Sequence, residues 1–212
     1  INAVVTITGT VTDNVTRKFA SVDLIIVDKT GKRIGKSKSN ASDGFYLITG
    51  LKPGATYKLM ISGNDYMNDE MDIVVPNTDK YAEISKDILV KPLVAGLRIP
   101  LAVSPYEVNQ TKVRFGADLF LNDIVALMKY NKTLNLAVVT YPDNDNDAAA
   151  NNTLTNARSE AIKAYLISKG IKEERLTTEG NNKTDPRNPP PSGKAAKGKR
   201  YIGPTYFKIT GF

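Results

Sequence analysis

The sequence predicts two domains, an all-β sandwich followed by an α/β (α+β) domain that contains a mixed sheet. Residues 1–92 hold short apolar runs separated by polar turns and show no helical periodicity, a pattern typical of a β-sandwich. Residues 134–171 instead give a strand, a polar loop and a helix in succession. Prolines interrupt an apolar segment between these two regions. We therefore assign the sandwich to residues 1–92, a junction to 93–108 and the second domain to 109–212.

The strands of the first domain are predicted from apolar runs rich in β-branched residues. Turn-forming sequences, such as those at residues 28–31 and 42–44, separate several of them. We expect the aromatic side chains of Phe45 and Tyr57 to lie in the core. The predicted strands cover residues 4–8, 22–27, 45–48, 57–61, 71–75 and 84–90.

The junction is apolar rather than polar. Pro92, Pro100 and Pro105 interrupt residues such as Leu93 and Ile99. Flexible linkers are usually rich in serine and glycine and have little apolar surface to bury. We therefore expect this segment to pack along one or both domains and to restrain their relative movement.

The second domain is predicted to begin with a strand at residues 112–115. Apolar residues at helical spacing between Leu121 and Met128 then predict a helix. Two further strands are predicted at residues 175–179 and 199–210. The loop at residues 181–198 is polar and proline-rich, so we expect it to be mobile.

The most informative stretch combines a strand at residues 134–140 with the helix that follows it. Pro142 ends the strand, because proline cannot donate a hydrogen bond to a sheet. The helix is expected to begin near residues 151–153, whose side chains are of the types that cap helix N-termini. Gly170 is expected to end the helix in a left-handed conformation.

Two charged residues mark the ends of this loop. Asp143 follows the strand, and Arg158 lies in the helix fifteen residues later, on the same face as Leu154 and Ile162. One interpretation is a structural salt bridge or two solvated charges. The other is a pocket in which the planar guanidinium of Arg158 binds a carboxylate while Asp143 accepts hydrogen bonds from an ammonium of the same ligand. Under the second interpretation neither side chain fills the core, and we expect the fold to survive their substitution.

This stretch resembles the OmpA-like domains. The sequence N-N-T-L-T-N-A-R at residues 151–158 is similar to the N-x-x-L-S-x-x-R motif of that family, and Asp143 falls where the family has the Asp of G-H-T-D. The sequence Y-L-I-S-K-G-I-K-E-E-R-L at residues 165–176 resembles the family pattern Y-L-x-x-x-G-I-x-x-x-R-L. The resemblance covers roughly residues 110–212, and it implies an OmpA-like domain.

The resemblance also implies a ligand. In OmpA-like domains the Asp and the Arg bind the amino and carboxyl groups of diaminopimelate in the stem peptide of peptidoglycan, which assigns those roles to Asp143 and Arg158. Asn151 either braces the loop, caps the helix or contacts the ligand. Tyr141 is a candidate to lie against the aliphatic chain of the ligand. Arg200 is a further candidate, because it stands where the family has an N-R-R motif, although the Asn and the first Arg of that motif are absent here.

The first domain has four short motifs in order along the chain. They are Gly9-x-Val11, Ala20-x-Val22-x-Leu24, Asp43-Gly44-Phe45 and Leu51-x-Pro53-Gly54-x-x-Tyr57-x-Leu59. In this order they resemble carboxypeptidase regulatory-like domains. This resemblance implies a prealbumin-like sandwich without catalytic activity, and we expect it to bind protein partners in the cell envelope. The pairing of the two modules resembles cell-envelope proteins of Bacteroidota, including PorE-type proteins of type IX secretion.

Composition excludes several kinds of chemistry. The chain has no cysteine and no histidine, which excludes disulfides, thiol catalysis and Ser-His-Asp machinery. Asp143, Asp145 and Asp147 suggest calcium, but an EF-hand loop needs Gly and Glu where this chain has Ala148 and Leu154. No nucleophile is paired with a base. We therefore predict no enzyme activity, no cofactor and no metal site.

The net charge of +7 is unevenly distributed. Residues 1–92 carry +1 and residues 93–212 carry +6, of which residues 183–200 alone supply +5. Single-stranded nucleic acid usually needs aromatic platforms, and this basic loop has none before Tyr201, so we predict no nucleic-acid partner. We expect either a solvated loop or contact with anionic groups of the cell wall. No run of about 18 apolar residues is present, so we expect no membrane-spanning helix in this sequence.

These observations predict a non-catalytic protein that binds peptidoglycan through diaminopimelate and anchors a larger envelope or secretion assembly to the cell wall. The predicted location is the periplasm, in association with the outer membrane. The alternative is a protein-interaction module of an envelope complex in which the peptidoglycan pocket has decayed. Because the chain begins with Ile1 rather than Met, we expect it to be a processed or excised piece of a longer protein.

Overall fold

A computed structural model describes residues 4–101, 103–192 and 200–212. The described part contains three four-stranded sheets and two α-helices, which confirms a mostly β chain. The chain forms two compact units, Ile1–Leu93 and Val94–Phe212.

The described part of the first unit, residues 4–93, contains eight strands. Each region predicted as a strand overlaps an observed one, except that residues 84–90 form two short strands rather than one. The strands are β1 (Val5–Asp13), β2 (Asp23–Val27), β3 (Arg33–Lys38), β4 (Phe45–Leu51), β5 (Thr56–Gly63), β6 (Tyr66–Val74), β7 (Ala82–Ser85) and β8 (Ile88–Val90).

These strands form two sheets around a shared core. In one sheet β1 pairs antiparallel with β4 and parallel with β7 and β8. The other sheet is antiparallel and has the order β3-β2-β5-β6. Because side chains alternate along a strand, each sheet directs one set of apolar residues inward. The shared core includes Ile7, Val11, Leu24, Ile26 and Leu59, all of which are fully buried.

The two aromatic residues predicted to lie in this core differ in their outcome. Tyr57 is buried, as expected, whereas Phe45 is exposed to 46%. The prediction for Phe45 is wrong because its neighbour Tyr46 occupies the inward position of β4 and donates a hydrogen bond to the carbonyl of Lys86 (2.6 Å). Strand alternation then places Phe45 on the outer face.

Strand β3 was not predicted, because its sequence, R-I-G-K-S-K, has no apolar alternation. Its inward position is taken by Gly35, where an added Cβ would lie 3.3 Å from Ile48 and 3.4 Å from Ile26. A glycine therefore fills the place where a sequence pattern would require an apolar side chain.

The second unit contains one mixed sheet and two helices. Its sheet has the order β11-β10-β12-β9, in which β10 runs parallel to β11 and antiparallel to β12. Helix α2 packs on β10 and β11. The elements are β9 (Arg98–Pro100), α1 (Asp118–Tyr130), β10 (Asn135–Thr140), α2 (Ala148–Ser168), a 3₁₀ turn (Glu173–Arg175), β11 (Leu176–Gly180) and β12 (Thr205–Gly211).

Most of the elements predicted for the second domain are present. Helix α1 covers the predicted apolar residues, and Gly170 adopts the left-handed conformation expected after α2 (φ +89°). The strand predicted at residues 112–115 is wrong, since no strand forms there and Phe115 is fully exposed. The edge strand beside β12 is β9, which lies within the predicted junction and not at residues 112–115.

Arg175 joins the end of α1 to the start of β10. Its guanidinium donates hydrogen bonds to the carbonyls of Met128, Asn131 and Leu134 at 2.7–3.0 Å. Three carbonyls at a helix C-terminus and the turn after it would otherwise need other donors. The Arg in the family-like sequence at residues 165–176 therefore has a structural role here.

Candidate functional site

The candidate site lies where β10 ends and α2 passes over the sheet. Thr140, the last residue of β10, donates a hydrogen bond to the carbonyl of Thr155 in α2 (2.7 Å). The hydroxyl of Thr155 in turn donates to the carbonyl of Asn181, just after β11 (2.9 Å). These bonds hold the second turn of α2 against the strand ends, so that Arg158 on the helix reaches Asp143 on the loop.

Asp143 and Arg158 form a bidentate ion pair. Nη1 of Arg158 lies 2.8 Å from Oδ1 of Asp143, and Nη2 lies 2.9 Å from Oδ2. Two parallel charge-assisted bonds of this kind are stronger and more directional than a single contact. The structure therefore brings together the two residues that the sequence singled out.

Backbone groups complete the hydrogen bonding of both charges. Nε of Arg158 donates to the carbonyl of Gln110 (2.8 Å), and Nη2 donates to that of Glu107 (3.1 Å). The amides of Asn109 and Gly203 donate to the two carboxylate oxygens of Asp143 at 2.7 and 2.8 Å. The pair is thus enclosed by residues 106–110 on one side and by Gly203 on the other.

Both charged groups are buried. Arg158 is 0% exposed and is among the largest fully buried side chains of the described residues, and Asp143 is 7% exposed. The expectation that neither residue fills the core is wrong, because residues 106–110 cover the guanidinium. Burial opposes ionisation of Asp143, but hydrogen bonds from Arg158, Asn109 and Gly203 outweigh it and hold the pKa of this carboxyl below its usual range.

Residues 106–110, which we call the covering segment, pack directly on Arg158. The ring of Tyr106 lies 5.0 Å from the guanidinium carbon, and its hydroxyl donates to the backbone carbonyl of Arg158. Burial raises the pKa of Tyr106, and the positive charge of Arg158 opposes that rise. Asn109 in the same segment has a left-handed backbone (φ +55°), which is uncommon for residues other than glycine.

Gly203 belongs to the site through its backbone. A Cβ at this position would lie 2.0 Å from the carbonyl oxygen of Tyr141 and 2.4 Å from that of Pro142. Only glycine allows this approach, and the approach brings the Gly203 amide to Asp143. Sequence analysis did not assign Gly203 to the site. The signal available was the Gly203-Pro204 pair before the last strand.

The other residues predicted for the site have different positions. Asn151 is buried and donates hydrogen bonds to the carbonyls of Asn144 (2.7 Å) and Asn182 (3.2 Å), so it braces the loop. Tyr141 is 9% exposed and its ring lies 6.1 Å from that of Tyr206. Arg200 is exposed and makes no hydrogen bond or ion pair with the described residues.

The three aspartates of the loop bind different protein groups. Asp143 pairs with Arg158, and Asp145 accepts hydrogen bonds from the amide and hydroxyl of Thr184 (2.7 and 2.8 Å). Asp147 accepts from the amides of Ala149 and Ala150 and so caps α2, which begins at Ala148, three residues before the predicted start of the helix. Among the described residues, no cluster of three or more acidic side chains could hold a metal ion.

The loop after β11 is partly attached to the sheet. Asp185 is 3% exposed and accepts a hydrogen bond from Arg98 (3.1 Å), whose guanidinium lies 4.1 Å from the ring centroid of Tyr206. Burial and the nearby charges of Asp185, Asp143 and Asp145 raise the pKa of Tyr201 to about 12. The prediction of a mobile loop at residues 181–198 falls partly on residues 193–199, which lie outside the described residues.

Two surface cavities lie away from the ion pair. One, of about 780 Å³, is lined by residues of the first unit that include Val27, Tyr57 and Asp72. The other, of about 650 Å³, is lined by residues of the second unit that include Lys129 and Lys172. Neither is lined by Asp143 or Arg158, so neither cavity is the pocket predicted between these two residues. Across the described residues, no helix combines the length and the apolar composition needed to cross a bilayer.

Comparison with known proteins gives one family match. Residues 106–200 match the model of the OmpA family, so an OmpA-like domain occupies this part of the chain. Among curated proteins, photosystem I P700 chlorophyll a apoprotein A2 of Gloeobacter violaceus is 29% identical over 110 residues, which are 50% of this chain. The aligned part spans 13% of the length of that protein.

Three solved structures show how far the structural similarity extends. A putative MotB-like protein from Desulfovibrio vulgaris is 21% identical and covers 54% of this chain and 74% of its own, with a TM-score of 0.42. The periplasmic domain of Helicobacter pylori MotB is 10% identical, with coverages of 73% and 82% and a TM-score of 0.44. The peptidoglycan-associated lipoprotein of Burkholderia pseudomallei is 12% identical, with coverages of 54% and 89% and a TM-score of 0.40.

Proposed function

We propose that the OmpA-like domain at residues 106–200 binds peptidoglycan non-covalently through Asp143 and Arg158. The observation that carries this proposal is the bidentate ion pair at the strand end, within the part of the chain that matches the OmpA family. A buried pair of opposite charges is costly to maintain when it only fills a core, because similar stability can come from apolar residues. A ligand that carries both charges would give the buried pair a role in binding.

The chemistry of the pair favours a ligand that carries an ammonium and a carboxylate on one carbon. The free amino-acid end of diaminopimelate in a stem peptide has this arrangement. Its carboxylate would bind the guanidinium of Arg158, and its ammonium would bind the carboxylate of Asp143. A stem peptide with lysine at the same position lacks the carboxylate and would leave Arg158 without an anionic partner, which gives selectivity.

The covering segment occupies the positions that such a ligand would take. The carbonyls of Glu107 and Gln110 accept from Arg158 as a ligand carboxylate would, and the amide of Asn109 donates to Asp143 as a ligand ammonium would. Ligand binding therefore requires residues 106–110 to move from Arg158 and Asp143.

The test uses substitutions that change the ligand contacts but leave the buried charges balanced as far as possible. Arg158→Ala would leave Asp143 buried without its cation, and loss of one partner of a buried pair costs about 3–5 kcal/mol of stability. Arg158→Lys keeps a positive charge beside Asp143 but removes the planar pair of donors. We expect Arg158→Lys to weaken binding of a diaminopimelate stem peptide by about 30-fold or more, because charge-assisted bonds contribute roughly 1.5–3 kcal/mol each.

Binding would be measured by calorimetry with the soluble stem peptide and by co-sedimentation with purified peptidoglycan. Arg187→Lys, the same change at an exposed arginine of the second unit, is the matched control and should bind like the wild type. Circular dichroism would confirm that each variant is folded. Equal affinity of wild type and folded Arg158→Lys for the peptide would exclude this pocket. The alternative, an interaction module with a decayed pocket, would then be favoured.

For the first unit we propose a carboxypeptidase regulatory-like module of the prealbumin type that binds protein partners of the envelope. Its two sheets around a shared core and its lack of histidine and cysteine support a binding role without catalysis. The whole chain would then link an envelope assembly to the cell wall. We propose that this assembly is a secretion complex of the PorE type. This role places the protein in the periplasm, associated with the outer membrane.

A further inference from the structure

Two segments of the first unit each carry charged residues of a single sign, and the two signs are opposite. Residues 29–38 contain five basic residues and no acidic one, and residues 62–79 contain five acidic residues and no basic one. The charges cancel in the total for the domain, so the net charge does not show this separation. Strand β3 lies in the basic segment and strand β6 in the acidic one.

The fold places these strands at the two edges of one sheet. The order β3-β2-β5-β6 leaves β3 at one edge and β6 at the other, with β2 and β5 between them. Adjacent strands lie about 4.8 Å apart, so the two edges are separated by roughly 14 Å. One sheet therefore has a basic edge and an acidic edge.

The register aligns the opposite charges across the outer face. This face consists of the residues that alternate with the buried Leu24, Ile26 and Leu59. Each of two neighbouring rows begins with a basic side chain on β3 and ends with an acidic side chain on β6. The rows are Arg33–Val27–Lys58–Asp72 and Lys36–Ile25–Met60–Glu70.

The middle of the face is partly apolar and accessible to solvent. Met60 is exposed to 45%, and Ile25 and Val27 are half-buried beside it. Lys58 interrupts the apolar centre, but its ammonium lies 2.6 Å from a carboxylate oxygen of Glu70, so its charge is compensated within the face. The face has an apolar centre between a positive and a negative border.

We propose that this outer face binds the same face of a second copy of the chain. A two-fold axis parallel to the strands, above the middle of the sheet, places β3 of each copy over β6 of the other. Arg33 then faces Asp72 of the second copy, and Lys36 faces Glu70, which also pairs with Lys58 of its own copy. The centre of the face, with Met60 and Ile25, packs on itself. The interface is isologous, which is the commonest arrangement in homodimers.

The charge pattern favours this two-fold axis over one that is perpendicular to the strands. A two-fold axis perpendicular to the strands would place β3 over β3 and β6 over β6, and like charges would repel each other along both borders. The parallel axis also agrees with the aligned packing that is common for two sheets face to face. Charge complementarity thus determines both the partner and the orientation.

The size of the face indicates a weak dimer. Four strands of five to nine residues with about 3.3 Å per residue give a face on the order of 500 Å². Stable interfaces bury about 800 Å² on each partner, so we expect an association that is concentration-dependent and sensitive to salt. Such an association would double the number of wall-binding sites per particle, although the proposal does not depend on wall binding.

The experiment measures self-association of the whole chain by sedimentation equilibrium at low and high salt. Arg33→Glu and Asp72→Lys each place like charges opposite each other in the dimer, and each should weaken dimerisation by about tenfold or more. The double variant Arg33→Glu/Asp72→Lys exchanges the charges across the interface and should restore the association. Both residues are exposed at the sheet edges, so we expect the variants to fold.

Lys80→Glu is the matched control, because it changes the net charge as much as Arg33→Glu but lies outside the four strands. It should dimerise like the wild type. A wild-type chain that stays monomeric at low salt up to millimolar concentration would overturn the proposal. A dimer that is insensitive to both single variants, or a double variant no better than the singles, would also overturn it.

Discussion

At the scale of single residues, the ionisation of Asp143 depends on the groups that the fold places around it. Burial disfavours its ionised form, and bonds from Arg158, Asn109 and Gly203 more than offset this, so its pKa in the folded chain is depressed. A depressed pKa contributes stability that is complete above the unfolded value of about 3.9 and is lost as the pH falls through the folded value. Part of the stability of the second unit should therefore disappear below about pH 4.

We expect the free energy of unfolding of the second unit to respond to pH differently in Asp143→Asn. At neutral pH the variant should be less stable, because Arg158 keeps its charge and loses its anionic partner. Below about pH 4 the difference should shrink, because the wild-type carboxylate becomes neutral as well. Urea unfolding followed by the NMR signals of the second unit would measure this. Asp123→Asn, at an exposed helical position, controls for the loss of one negative charge, and a difference that is constant from pH 2 to 7 would contradict the prediction.

The sequence predicted the two charged side chains of the site but not the backbone groups that form hydrogen bonds with them. Asp143 and Arg158 could be found because only certain side chains provide a carboxylate and a guanidinium. The partners Glu107, Gln110 and Gly203 contribute carbonyls or an amide, which every residue type carries, so no side-chain pattern marks them. For the same reason, the sequence could not show that the guanidinium is covered.

At the scale of elements, the start of α2 depends on Asp147. Its carboxylate accepts hydrogen bonds from the amides of Ala149 (2.9 Å) and Ala150 (3.0 Å). Asp147→Ala removes the oxygen that accepts both bonds and should lower the free energy of unfolding by about 1 kcal/mol. Asp147→Asn keeps an oxygen in the same place and should lower it much less. Urea unfolding of both variants tests this, and equal losses would show that α2 begins without help from the cap.

Elements that rely on apolar periodicity were predicted, whereas those that rely on pairing were not. Helix α1 and strand β10 carry dense apolar residues and appear as predicted. Strand β3 is polar and β9 has only three residues, so each is a strand mainly because a neighbouring strand offers hydrogen-bonding groups. Pairing of this kind depends on tertiary structure, and a local pattern does not show it.

At the scale of the whole molecule, each unit has its own sheets. The sheet pairs of β1–β8 all lie within Ile1–Leu93, and those of β9–β12 all lie within Val94–Phe212. We expect the fragment Val94–Phe212 to fold alone and to bind a soluble diaminopimelate stem peptide like the whole chain, because the proposed site and its supporting bonds are inside it. Calorimetry of fragment and whole chain with this peptide measures the affinity of a single site. A folded fragment with much weaker binding would mean that the first unit contributes to recognition.

The charge pattern of the first unit shows what topology adds to composition. The basic and acidic segments can be counted in the sequence, yet their meaning depends on which strands are neighbours. Four strands in the order β3-β2-β5-β6 turn two distant segments into opposite borders of one face. A different strand order with the same sequence could have paired the two segments and neutralised both.

The position of β12 has a consequence for how the protein is made. β12 is the last strand of the second unit in chain order, but it lies inside the sheet between β10 and β9. While the chain leaves the ribosome, β10 has no partner on that side, and Asp143 lacks the amide of Gly203 until residue 203 emerges. The first unit, whose strands end at Val90, can fold much earlier during synthesis. The site of the second unit therefore forms only after residue 203 has been synthesised, and a nascent chain cannot bind through a complete site before that point.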